Sequence, residues 1–170
     1  MKWLGACFIV LCTTLYGFHK AKALRERPQQ LRQLQVALRS LEAEIMFGQT
    51  PLAEASERIA AQLSEPLSQF FLQFSCKLQE KHVTVATAWM ESLDETLRET
   101  ALKQSEREVL RQFGTTLGTT DRTQQQKQLK LAQVHLERDE LEAKDLQVRY
   151  EKMTKMLGIL AGLLLVILFL

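Results

Sequence analysis

The sequence predicts an all-α protein, a compact six-helix domain flanked by an N-terminal and a C-terminal transmembrane helix. Three observations carry this reading. Apolar residues recur through the middle of the chain at three- and four-residue intervals, and no stretch shows the two-residue alternation of a half-buried strand. Glycine and proline are few (7 and 3), and the prolines stand where apolar stripes begin. Finally, Trp3–Phe18 and Met156–Leu170 are apolar almost throughout. The expected division is an anchor over 1–19, a helical soluble domain over 20–155 and a second transmembrane helix over 156–170.

Taken in order, the first helix of the domain opens at Pro28, whose missing N–H goes unused in a first turn. It carries Leu31, Leu34, Leu38, Leu41 and Ile45 as one stripe, and Gly48 ends it in a left-handed cap. Thr50 caps a second helix that begins with Pro51 and bears Leu52, Ile59 and Leu63. Pro66 starts a third, with Leu67, Phe70, Phe71, Phe74 and Leu78 on one face. Lys81-His82 reads as a turn, and Thr84 as the cap of a fourth helix bearing Val85, Trp89, Leu93 and Leu97. A fifth, near 103–117, carries Val109, Leu110, Phe113 and Leu117, with Gly114 and Gly118 around its end. The sixth starts near Thr120 or Asp121 and has no glycine or proline until Gly158, so it should run on into the second apolar segment. Its register of Leu129, Ala132, Leu136, Ala143, Leu146, Tyr150, Met153 and Leu157 is heptad-like, with Asp139 in a slot that should be apolar. That stripe serves either the domain's own core or a coiled-coil partner.

The roughly 137 residues between the apolar ends suffice for one domain. A net charge of +2 argues against a nucleic-acid binder that relies on a basic field. Three cysteines make no disulfide framework, so Cys7, Cys12 and Cys76 read as small apolar packing residues.

Trp3–Phe18 spans 16 residues and Met156–Leu170 spans 15. A bilayer core asks for about 20, and local thinning together with snorkelling by Lys20, Lys152 and Lys155 can close the gap. A rival reading makes the first segment a signal peptide cleaved at Ala21-Lys22-Ala23, but the surrounding Lys20, Lys22, Arg25 and Arg27 favour an uncleaved anchor. Lys and Arg crowd the inner flanks of both segments, whereas only Lys2 stands on the other side. The positive-inside rule therefore puts the domain in the cytoplasm, with membrane lipid as its first partner. Within the spans, Gly158 and Gly162 form a small-xxx-small face, and Gly5, Thr13 and Gly17 form a similar one. Such faces suit contact between the two spans, with a second copy of the chain, or with another protein.

The sequence carries no sign of an enzyme or of a cofactor site. A phosphate loop, a Cys-x-x-Cys pair, a nucleophile elbow and a zinc-protease motif are all missing. Glu42 and Glu44 point to different faces, a poor arrangement for paired acid and base. His135, Asp139 and Glu142 share a helix face at four- and three-residue spacing, a set that acid-rich helices also produce by chance.

Two stretches are distinctive: Glu26-Arg27-Pro28-Gln29-Gln30-Leu31-Arg32-Gln33-Leu34, and Leu41-Glu42-Ala43-Glu44-Ile45 running into Gly48-Gln49-Thr50-Pro51-Leu52-Ala53-Glu54-Ala55. On these, and on the long charged helix leading to an apolar tail, the chain resembles the stage III sporulation protein AB family of endospore-forming bacteria over essentially its whole length. The Gly-x-x-Pro-Leu-x-x-Ala portion also resembles the type II secretion F domain, a helical module of inner-membrane platform proteins. The chain departs from those platforms in having one such domain and two spans. The resemblance implies a part of the channel between mother cell and forespore, in the mother-cell-derived membrane. It also implies the other stage III A proteins, including a secretion-type ATPase, as partners.

The reading is a non-enzymatic membrane platform subunit. Docking is expected on the exposed faces of the first and sixth helices, with Arg27, Arg32, Glu42, Glu44 and Asp139 as candidate residues. The alternatives are a signal-cleaved extracytoplasmic helical binding domain with a C-terminal anchor, and a metal-dependent enzyme built on His135, Asp139 and Glu142.

Overall fold

The computed structural model describes the backbone of residues 2–48, 50–118 and 121–169, and the side chains of 22–48, 50–118, 121, 123–150 and 153. Among the described residues the chain forms six α-helices and one short 3-10 turn, with no strand. They are α1 (Lys2–Phe47), α2 (Leu52–Ala60), α3 (Leu67–Leu78), α4 (Val85–Thr96), the turn Leu97–Glu99, α5 (Gln104–Gly114) and α6 (Arg122–Phe169). No helix is long and apolar enough among the described residues to cross a membrane. Both apolar ends, with the packing positions Gly5, Thr13, Gly17, Gly158 and Gly162 and with Cys7 and Cys12, lie outside the described side chains.

α1 and α6 form the frame. They run for 46 and 48 residues, about 70 Å each. Neither breaks at the expected domain boundaries near 19 and 155. The expectation that Pro28 opens a helix is corrected, because Pro28 sits inside α1. An internal proline removes one helical hydrogen bond and destabilises by about 3 kcal/mol. Burial of Leu31, Leu34, Leu38 and Leu41 on the following turns, all at most 1% exposed, offsets that cost. Gly48 follows the helix end as expected but not in a left-handed cap: Gly118, at φ 81°, is the positive-φ glycine among the described residues. Thr50 does not cap α2 either. Its hydroxyl donates to Glu44 at 2.9 Å, and Pro51 occupies the cap position.

The short helices fall close to their expected places. The Thr84 hydroxyl accepts from Thr87 N–H at 3.1 Å and caps α4. His82 takes φ 77° in the turn before it. The Asp121 carboxylate accepts from the N–H groups of Thr123 and Gln124 at 2.9 and 3.2 Å, so it caps α6. Trp89 is fully buried at the centre of α3, α4 and α5, edge-on to Phe70, Phe71, Phe74 and Phe113 at centroid distances of 4.8 to 6.1 Å. Its indole N–H donates to the Leu110 carbonyl at 3.0 Å. Gly114 lets α5 lie against this ring, since a Cβ there would come within 2.2 Å of Trp89 Cδ1. Cys76 is exposed, which corrects its reading as a packing residue.

Candidate functional site

The part of the fold with specific geometry is the seam where α1 meets α6. The leucines of α1 face Leu129, Ala132, Leu136 and Ala143 of α6, all at most 3% exposed. The α6 stripe therefore serves the domain's own core as far as Ala143. Beyond that it leaves the core: Leu146 is half-buried, and Tyr150 and Met153 are exposed.

Polar clasps interrupt the apolar seam. Arg27, four residues before Leu31, points along the same stripe and donates from Nε and Nη2 to Glu106 Oε1 at 2.8 and 2.6 Å. The Glu106 side chain is 0% exposed and that of Arg27 is 6% exposed. The other Glu106 oxygen accepts from the Lys103 N–H at 2.5 Å, so this carboxylate both caps α5 and fastens it to α1. Next to it, Gln30 accepts from Ala101 N–H at 2.8 Å, tying the approach to α5 onto α1. Glu142 on α6 accepts from Lys103 at 2.9 Å and lies 3.9 Å from Arg27. Its carboxyl titrates below the ordinary range, through the Lys103 hydrogen bond and charge and then Arg27.

A second clasp joins Gln35 to Glu140 at 2.7 Å and to the Leu136 carbonyl at 3.3 Å. Burial acts to raise the Glu140 carboxyl, yet Lys144, Gln35 and Arg32 together hold it below its ordinary value. A third joins Glu42 to Gln126 and Gln133, each at 3.2 Å. Low numbers on α1 meet high numbers on α6, so the helices run antiparallel, and the start of α1 and the end of α6 lie at one end of the domain.

The expected docking residues separate on this geometry. Arg27 and Asp139 are buried, at 5% and 7% exposure, so neither presents itself to a partner. Arg32 is exposed, while Glu42 and Glu44 are half-buried and accept hydrogen bonds within the domain. His135 and Glu142 are exposed while Asp139 is buried, and among the described residues no group of His, Cys, Asp or Glu is set to hold a metal. Sequence reasoning missed Glu106. The cap position of α5 holds Lys103 rather than a hydroxyl residue, so the familiar pattern of cap and following acid is disguised.

The chain is similar to known proteins over nearly its whole length. The sequence profile of the family described as Stage III sporulation protein AB matches residues 2–170. Stage III sporulation protein AB of Bacillus subtilis (strain 168) is 54% identical over 168 residues, 99% of this chain and 98% of its own length. A solved structure of a Stage III sporulation protein AB superposes with a TM-score of 0.71 at 52% identity, over 73% of this chain and 98% of that one.

Proposed function

The chain belongs to the stage III sporulation protein AB family, and from that premise we propose that it is a non-enzymatic membrane platform subunit of a sporulation channel. Two apolar ends hold it in the outer forespore membrane, and its helical domain stands on the cytoplasmic side. There it docks other stage III A proteins, including a secretion-type ATPase. The likeness of its Gly48–Ala55 stretch to the type II secretion F domain is part of this reading.

One observation carries most of the weight. α1 and α6 are antiparallel and each continues without a break toward an apolar terminus, so both termini leave the domain on one side. A domain held that way has its orientation set by two stiff helices, and a push on the seam reaches the membrane through both. Lys20, Lys22, Arg25, Lys152 and Lys155 beside the apolar ends favour the cytoplasmic side. The small-residue faces of Gly5, Thr13, Gly17, Gly158 and Gly162 are contact surfaces within the bilayer.

Membranes washed with alkaline carbonate test the anchoring. The full-length chain is expected to stay in the pellet with its N-terminal residues intact. Release into the supernatant, or a mature chain that starts near residue 24, overturns the platform reading.

A further inference from the structure

The outward side of the α1–α6 pair carries two rows of side chains that the core does not use. On α1, Arg25, Arg32 and Arg39 are exposed and fall seven residues apart. Among the described residues none of them makes an ion pair. On α6, Val134, Leu141 and Val148 are also seven residues apart, and they are 63%, 60% and 54% exposed. Large aliphatics this exposed, repeated at one interval, are not the scattered apolar residues of an ordinary surface.

The clasps of the seam set the level of one row against the other. With Gln35 on Glu140 and Glu42 on Gln133, Arg39, Arg32 and Arg25 stand within two residues, about 3 Å, of the levels of Val134, Leu141 and Val148 respectively. Arg32 and Arg39 lie three residues before and four after Gln35, which puts them along the edge of α1 that borders α6. Leu141 follows Glu140 by one residue, about 100° further toward solvent. The charge of Arg32 is felt at Glu140, as expected for neighbours across this edge. Each rung thus offers one guanidinium and one aliphatic side chain, and rungs repeat every two helical turns, about 10.5 Å. Seven residues also return an approaching helix to the same face, so one helix can meet all three rungs in register.

We propose that this ladder docks an amphipathic helix of another protein, with carboxylates at seven-residue intervals set against Arg25, Arg32 and Arg39 and apolar residues set against Val134, Leu141 and Val148. It rests on the platform reading for the side of the membrane on which the ladder stands. An anionic bilayer fits the ladder poorly. From the end of the first apolar segment at Phe18, Arg39 lies about 31 Å along the helix, whereas charge is screened over about 8 Å at physiological salt. A second copy fits poorly too. Among the described residues no two exposed acids stand seven residues apart, and those of α4 are engaged in their own domain, Glu91 and Glu95 with Lys77 and Asp94 with Arg111. Two such ladders face to face would set arginine against arginine.

The test places a photo-crosslinking amino acid at 134, 141 or 148 of the full chain in sporulating cells, with position 72, exposed on α3, as control. The expected result is an adduct with one other protein, through a helical segment whose acids recur every seven residues, and none from position 72. Arg32→Glu and Arg39→Glu together should cut the yield at least about tenfold while the chain stays in carbonate-washed membranes. Leu141→Lys should give a similar loss at a position the core does not use, and it covers the case in which the double reversal disturbs folding. Adducts with a second copy or with lipid, adducts to a segment lacking spaced acids, yields no higher than the control, or undiminished yield from both variants would each overturn the ladder. Those outcomes with the chain still in the membrane leave the platform reading standing, whereas release from the membrane removes that reading instead.

Discussion

The Trp89 hub and the α1–α6 seam hold the domain by different physics. At the hub, four phenylalanine rings pack around one indole whose single polar atom is satisfied by the Leu110 carbonyl. Along the seam, leucine layers alternate with the clasps Gln35–Glu140 and Glu42–Gln133, and Arg27–Glu106 ties α5 to the same stripe of α1. Leucine stripes tolerate sliding by a turn, because one leucine replaces another. Specific polar pairs have one satisfied register: sliding α6 past α1 would strand Gln35, Glu140 and Glu42, and sliding α5 would strand Glu106 without its counter-ion. The hub therefore supplies stability, while the seam fixes the level at which α1 and α6 leave the domain together.

The sharpest way to break the hub is Trp89→Ala, which should lower stability by about 3–5 kcal/mol in urea denaturation of the detergent-solubilised full chain. Beside the seam, Glu106→Ala leaves Arg27 buried with only Glu142, 3.9 Å away, and should destabilise by about 3–5 kcal/mol. Replacing the pair together, Arg27→Met with Glu106→Leu, should restore most of that. A double variant as unstable as the single one would make the pair a source of stability rather than of register. Gly114→Ala forces a methyl against the indole and should destabilise by about 1–3 kcal/mol, read from the same denaturation curves. The smallest effect is a pH dependence of the seam. Glu140 and Glu142 have folded values held below the ordinary 4.5. Their contribution is fully present above that value and fades as pH falls through the lower folded one. Glu140→Gln should flatten this acid limb by less than about 1 kcal/mol, and an unchanged limb would remove Glu140 from the explanation.

Much of the architecture was legible in the sequence because local rules and burial agree there. Phe70, Phe71 and Phe74 share one helical face, Thr84 and Asp121 cap where short polar residues should, and the α6 stripe marks its buried side. The misreadings fall where burial overrides a local rule. Pro28 would ordinarily begin a helix, but the buried leucines on the following turns carry α1 through it. Arg27 counts equally with Arg25 in a tally of basic residues. Only its place on the Leu31–Leu34–Leu38 stripe distinguishes a residue aimed inward, and that signal was present in the spacing. Glu106 gave no comparable sign. Its partner is 79 positions away, and only the fold brings them together.

Cys76 offers the most direct measurement of how the domain is presented. Its thiol is exposed on α3, and Cys7→Ser with Cys12→Ser leaves it as the single cysteine of the full chain. In intact cells a membrane-impermeant maleimide should leave Cys76 unmodified, and the same reagent should label it fully once the cells are opened. Ready labelling before lysis would place the domain on the opposite face of the membrane and contradict the arrangement on which the docking of cytoplasmic partners depends.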